Sequence, residues 1–325
     1  MARRADHLVD VGQTVGAIQT AIGFCGGSKA ALRRPVIRIL SIQSWVCYGH
    51  VGNAAAIFPM QRMGVDVISV NTVQFSNHLG YGKYRGQVYS GEDISDLVLG
   101  LEEVGALADC AGVLSGYIGD ADIGNAVLDA VRRVRAARPG ALYCCDPVIG
   151  DVDSGVFVRP GIPEFMRSEA ISAADIVTPN IFELEYLSGL TVRTRRDLIE
   201  AMIAIGNLGP HFVLVTSVRV DDTPPDAMDV ALLADGVLMR VRTPLLDLAI
   251  NGAGDAIAAL FLTRLLQKGS PEDAIAHAAA ATYGLLKQTV DAGSREILLI
   301  AAQDEFVRPT HHFPVERTDV QNAFV

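Results

Sequence analysis

Short apolar or β-branched runs alternate with longer helix-forming stretches from Val36 onward, and that alternation leaves the chain few folds to choose from. "VIRILSI" from Val36, "VDVISV" from Val65, "AGVLSG" from Ala111, "ALYCCD" from Ala141, "ADIVTPN" from Ala174 and "HFVLVTS" from His211 read as strands. Polar alternation within them is weak, which predicts burial on both faces. Between them, "DLVLGLEEVGAL" from Asp96, "DIGNAVLDAVRRVRAARPG" from Asp122 and "RTRRDLIEAMIAIGNLG" from Arg193 have helical periodicity. The expected fold is α/β, a mostly parallel central sheet with helices on both faces. "DVALLADGVLMRVRTP" breaks the pattern: an Asp235-Gly236 turn between two strand-like runs predicts an antiparallel hairpin at the sheet edge. Three helices are expected after it, around Gly254 to Gln267, Pro271 to Thr289 and Ser294 to Phe306, and "YSGEDIS" from Tyr89 reads as a linker.

A chain of 325 residues, 50% hydrophobic and 20% charged, can bury one large core. With no internal repeat or low-complexity linker, we expect one domain over residues 36–313, an N-terminal extension over 1–35 and a C-terminal tail over 314–325. The extension is expected to be disordered. It starts with basic residues, but Asp6, Asp10, Gln13 and Gln19 interrupt its apolar middle and make it a poor signal peptide. A formal net charge of -10 argues against nucleic-acid and anionic-membrane partners. No apolar run reaches the roughly 18 residues of a spanning helix. The five cysteines, Cys25, Cys47, Cys110, Cys144 and Cys145, lack C-x-x-C spacing and fit reduced thiols in a cytoplasm. His311 and His312 sit side by side near the end and do not make a metal site by spacing.

"NGAGDAIAALF" from Asn251 carries the sharpest chemical signal. Ordinary capping would explain an Asp in a first helical turn. An anion hole would explain it too: Gly252 and Gly254 let the backbone approach a phosphate, and Asp255 accepts a proton from an attacking hydroxyl. In open α/β sheets ligands gather beyond the carboxyl ends of the strands. There "CDPVIGD" places Asp146 and Asp151, and "TPNIFELE" places Thr178, Asn180 and Glu183. Carboxylates and an Asn at one sheet edge can hold Mg2+, and Thr216 and Ser217 can bond phosphate oxygens. The chain has no G-x-x-x-x-G-K-[ST] loop and no G-x-G-x-x-G after its first strand, so a P-loop kinase is excluded and a dinucleotide oxidoreductase loses its support.

"SIQSWVCYGHVGNAAAIFPMQRMGVDV", "NTVQFSNHLGYGKYRGQV", "VLSGYIGD", "CDPVIGD", "TPNIFELEYLSG" and "NGAGD", in that order, resemble the pyridoxal kinases of the ribokinase superfamily. The resemblance covers roughly Val36 to Phe313, and "NTVQFSNH" and "SGY" tie it to the vitamin B6 branch. It implies a ribokinase-like fold and phosphorylation by ATP of the 5'-hydroxyl of pyridoxal. It also implies a cytoplasmic homodimer using Mg2+ and a monovalent cation such as K+. By the same resemblance Asp255 is the catalytic base and the backbone of Gly252, Ala253 and Gly254 its anion hole. Asp146, Asp151, Asn180 and Glu183 surround metal and ATP phosphates, with Asp146 and Glu183 nearest the metal, and Thr178, Thr216 and Ser217 contact nucleotide. Ser44 bonds the pyridine ring, while Val51, Phe75, His78, Tyr84 and Tyr117 line it. Cys145 matches a position that in some relatives contacts the aldehyde, although a small buried thiol closing a strand is equally ordinary.

The chain departs from the family in several places. Trp45 stands where His is common, Leu79 where Thr is common, Tyr84 where Trp is common, and Ala253 where Thr or Val is common. Exchanging a hydroxyl for an isobutyl group at residue 79 removes a hydrogen-bond partner and narrows the pocket, which bears on vitamer preference. Two other readings remain at this stage: a kinase for hydroxymethylpyrimidine or another B6-like alcohol, and a non-catalytic carrier of B6 vitamers. The retained Asp255 and glycines speak against a carrier, which needs neither.

Overall fold

The computed structural model describes residues 36–247 and 250–321, so the expected extension over 1–35 lies outside the described residues. Strands β1 (Arg38–Tyr48), β2 (Asp66–Asn77), β3 (Gly86–Val88), β4 (Cys110–Ser115) and β5 (Leu142–Cys145) come first. A small hairpin follows, β6 (Gly150–Asp151) with β7 (Gly155–Val156). Then come β8 (Ile176–Val177), β9 (Phe212–Val218), β10 (Ala227–Ala234), β11 (Val237–Pro244) and β12 (Val315–Asp319). The helices are α1 (Asn53–Arg62), α2 (Gly91–Glu103), α3 (Ala121–Ala137), the short α4 (Ile162–Phe165) and α5 (Ile171–Ala173), α6 (Ile181–Ser188), α7 (Arg195–Gly206), α8 (Ala253–Leu266) and α9 (Pro271–Asp291).

Among the described residues the main sheet has the order β12-β11-β10-β9-β8-β5-β4-β1-β2-β3. Its centre, from β2 through β9, is parallel, as the buried runs predict. The weak polar alternation has a direct cause: successive side chains enter different cores. Leu40, Val113, Cys145 and Val213 pack with α2, α3, α6 and α7 on one face. Ile39, Leu114, Cys144 and Leu214 pack with α1, α8 and α9 on the other. The Asp235-Gly236 turn forms as expected, both residues at positive φ (50° and 73°), pairing Ala234 with Val237.

Three local expectations change. The edge of the sheet is not the hairpin but β12, built from residues set apart as a tail and paired antiparallel with β11. Its Glu316 accepts from Arg240 at 2.7 Å, and Arg240 also reaches Asp222 at 2.6 Å. Beside them Arg242 grips the fully buried Asp229 through two bonds of 2.7 and 2.8 Å. "YSGEDIS" is a helix start rather than a linker: Ser90 and Asp93 cap each other at the head of α2. Finally, residues 294–306 form turns rather than a helix. Gly293 leaves α9 at φ 59°, and the Ser294 hydroxyl binds the carbonyl of Glu296 at 2.6 Å and its N–H at 3.2 Å, which diverts the backbone from helical pairing. No helix among the described residues is long and apolar enough to cross a membrane.

Candidate active site

The carboxyl ends of β1, β4, β5, β8 and β9 and the start of α8 meet at one edge of the sheet, and most of the residues singled out from the sequence lie there. Gly252 caps α8 in a left-handed conformation, φ 93°, and an added Cβ would fall 2.0 Å from the carbonyl oxygen of His50. Only glycine satisfies both constraints. Ala253 and Gly254 follow in the first turn, where N–H groups have no helical carbonyl to bind. Gly254 is exposed. Asp255, one residue on, is half-buried. Burial raises its carboxyl pKa, opposed by the N–H of Gly52 and its own N–H. Through Gly52 the acid is tied to the end of β1, since an added Cβ on Gly52 would lie 2.3 Å from the Ser44 hydroxyl.

Asp146 follows β5 and is 6% exposed. The Thr178 hydroxyl donates to it at 3.0 Å, yet burial, then Glu183 and Asp255, push its carboxyl well above the ordinary value. The groups acting on it include no cation, so it is the acid of this cluster that a positive ion would relieve. Glu183 has less freedom. Its Oε1 accepts the N–H of Ile149 at 2.8 Å and of Gly150 at 3.4 Å, and its Oε2 accepts that of Asn180 at 2.9 Å. Asn180 returns the favour as N-cap of α6, accepting from the N–H of Glu183 at 2.9 Å and donating to the Gly150 carbonyl at 2.8 Å. This pair therefore fixes the loop after β5. Asp151 holds its own turn, accepting from the N–H groups of Asp153 and Ser154 at 3.0 and 2.6 Å. Among the described residues no group of three or more His, Cys, Asp or Glu is arranged to hold a metal.

Thr216 and Ser217, at the end of β9, open onto a cavity of about 220 Å³ between the β10–β11 hairpin and α8 and α9. Met228, Val230, Ile257 and Tyr283 give it apolar walls, and Gly254 lies at its margin. The slot reaches the first turn of α8 at Ala253 and Gly254. On the opposite side Val51, Phe75 and Tyr117 cluster with Val46 and Val73. Tyr84 lies against Phe75 with ring centroids 4.6 Å apart, and Ser44 is buried nearby in β1. Burial raises the pKa of the Tyr117 hydroxyl. His78 belongs to this side but is engaged elsewhere, 2.9 Å from Glu296. Leu79 is exposed in the turn that follows, and Trp45 is half-buried in β1.

Cys145 does not join the pocket surface. It is fully buried, and burial pushes its thiol up to about 12, which keeps it protonated and unreactive at neutral pH. Among the described cysteines Cys47, Cys110, Cys144 and Cys145 are all free thiols. Glu296, Tyr81 and Asn251 were not singled out by the sequence. Nothing near Glu296 announced a role, because its partners lie more than 200 positions away in the chain.

A parallel centre flanked by antiparallel strands, with an acid in the first turn of a late helix whose head borders an apolar slot, defines a ribokinase-like small-molecule kinase. Residues 100–299 match the family model described as phosphomethylpyrimidine kinase. Pyridoxal kinase PdxY of Granulibacter bethesdensis is 54% identical over 284 residues, 85% of this chain and 98% of that protein. Its counterpart in Rubrobacter xylanophilus is 53% identical, covering 86% and 97%. Among solved structures, pyridoxal kinase of Leishmania donovani in complex with ADP and pyridoxine superposes with a TM-score of 0.80 at 32% identity, over 86% of this chain and 99% of that one. The same enzyme with ADP and pyridoxamine gives 0.79. The chain belongs to the pyridoxal kinase family.

Proposed function

We infer that this enzyme transfers the terminal phosphoryl group of ATP to the 5'-hydroxyl of pyridoxal, and of pyridoxine and pyridoxamine as further acceptors, in B6 salvage. The observation that carries the reading is the 54% identity to a pyridoxal kinase over 98% of its length, together with the placement of Asp255 beside the free first turn of α8. In this reading the adenine occupies the slot beside Thr216 and Ser217, and the phosphates reach Ala253 and Gly254. Asp151, Thr178 and Asn180 border them. The pyridine ring lies among Ser44, Val51, Phe75, His78, Tyr84 and Tyr117.

Asp255 accepts the proton of the 5'-hydroxyl as that oxygen bonds to the γ-phosphorus and the bond to the β-phosphate oxygen breaks, releasing ADP. Its raised pKa suits a base, because burial makes the carboxylate hungrier for a proton. The N–H groups at the head of α8 face charge that grows on the transferred group. Asp146, crowded by Glu183 and Asp255, offers oxygen chemistry that fits Mg2+, with Glu183 holding the adjoining loop. Bound there, Mg2+ would neutralise phosphate charge. K+ dependence, a homodimer and a cytoplasmic location complete the proposal, each taken from the family resemblance.

The test is ADP release with MgATP and KCl, run with pyridoxal, pyridoxine, pyridoxamine and hydroxymethylpyrimidine, beside Asp255→Asn. Pyridoxal-dependent turnover that drops about 10²- to 10⁴-fold in the variant is expected. Turnover on hydroxymethylpyrimidine alone would transfer the assignment to that alcohol, with Trp45 and Leu79 as the altered pocket positions. No turnover with retained vitamer binding would leave a carrier.

A further inference from the structure

Glu296 stands in the turn after α9 with its side chain 14% exposed, and its carboxylate is met by three residues from two separate parts of the chain. Oε1 accepts from the Tyr81 hydroxyl at 2.6 Å and lies 2.9 Å from His78 Nε2. Oε2 accepts from the N–H of His50 at 3.1 Å. Gly49 is shaped to this contact, since an added Cβ there would come within 2.5 Å of Oε2. Burial alone would raise the carboxyl pKa, but the bonds from Tyr81 and His78 outweigh it and the net shift is downward. The Tyr81 hydroxyl is pushed up to about 12, chiefly by the same bond, so it remains a donor.

A carboxylate can only accept. His78 must then carry its proton on Nε2, and in the neutral ring Nδ1 is left as an acceptor. Nδ1 lies 3.4 Å from the Asn251 side-chain amide, immediately before Gly252. The His50 carbonyl packs on Gly252 from the other side. Glu296 thus touches both supports of the loop that presents Asp255: the 49–52 turn directly, and Asn251 through the tautomer of His78.

We propose that Glu296 is a positioning residue of the phosphoryl-transfer site, fixing the Nε2-H tautomer of His78 and the 49–52 turn so that the loop carrying Asp255 faces the vitamer hydroxyl. The inference rests on the kinase reading above. It bears on the vitamer side of the site and on the head of α8, and not on the β10 and β11 walls of the nucleotide slot.

Two measurements on the full chain test it. Nitrogen-15 NMR of histidine-labelled protein, with the His78 signals assigned by their loss in His78→Gln, should show the Nε2-H tautomer in the parent. It should give way to a mixture in Glu296→Ala. Kinetically, Glu296→Ala should lower kcat/KM for pyridoxal about 10- to 100-fold, as loss of bonds to a charged acceptor does, with KM for ATP held within about twofold. Glu296→Gln keeps an acceptor for Tyr81 and His78 but opposes the His50 N–H with an amide, and should fall between. An Nδ1-H tautomer in the parent overturns the proposal whether or not Glu296→Ala folds. So does an unchanged kcat/KM for pyridoxal, or a KM for ATP that rises as far as kcat/KM for pyridoxal falls. A parent without vitamer-dependent turnover sinks the kinase reading instead, and the tautomer result then stands by itself.

Discussion

At the scale of single residues, the site divides into side chains announced by their neighbours and side chains announced by nothing. Gly252 belongs to the first kind. Its left-handed φ of 93° and the His50 carbonyl 2.0 Å from a hypothetical Cβ predict that Gly252→Ala lowers stability by about 1–3 kcal/mol and removes most turnover. Thermal unfolding and the ADP assay on the purified variant would measure both, and a variant with the parent's melting point would show that the loop yields. Asp255 stood out as a candidate because motif chemistry is local, a glycine, an acid and a helix start within five positions; Asp146 followed from its place past a strand, and Ser44 from the family resemblance. Glu296 was illegible for the opposite reason, its three partners being assembled only by the fold. Glu183 shows a third case, a candidate from the sequence whose visible task is to hold the backbone of the loop after β5. Cys145 was placed by resemblance alone, and full burial removes it from the ligand.

At the scale of elements, the parallel centre was readable because strands covered on both faces have no polar side to hide. The edge was not. "VERTD" is short and polar, as an exposed edge strand tends to be, and only its pairing with β11 makes it a strand. Residues 294–306 misled in the other direction, apolar enough for a helix yet turned by Ser294 and Gly293. The edge strand carries a measurable load through Glu316, which meets Arg240, a residue 4% exposed, and Arg195 at 2.9 Å. Removing residues 314–325 strips one partner from a largely buried cation. We expect the melting temperature to fall by roughly 5–10 °C, with turnover at 20 °C within about twofold of the parent. Differential scanning calorimetry and the ADP assay would check the pair, and an unchanged melting point would deny β12 its structural part.

At the scale of the whole molecule, the buried Asp146 makes stability depend on pH. Burial raises the folded-state pKa of Asp146, so above its ordinary value near 3.8 the folded chain keeps a proton that the unfolded chain has lost. Stability must fall as pH climbs through that window. Asp146→Asn removes the penalty and keeps an acceptor for Thr178. The variant should therefore melt higher than the parent at about pH 8, with the advantage vanishing as pH falls below about 3, where both side chains are neutral in the folded and unfolded chains. Saturating MgATP should reverse the order at pH 8 by stabilising the parent alone. Melting curves across pH test this, and a variant that melts lower than the parent at pH 8 without ligand would refute it.

The order of the strands has a bearing on how the chain is made. Residues leaving the ribosome deliver the parallel centre first, whereas the cavity proposed to take the nucleotide needs β10, β11, α8 and α9, all encoded after residue 226. β11 then waits for β12, which arrives more than 70 positions later in the message. On the proposed placement of ATP, a nascent chain cannot lean on the nucleotide until α8 and α9 have been made. While residues 245–314 are being made, β11 is complete and the strand that shields it has not yet been read, which leaves its free edge open to pairing with a neighbouring chain.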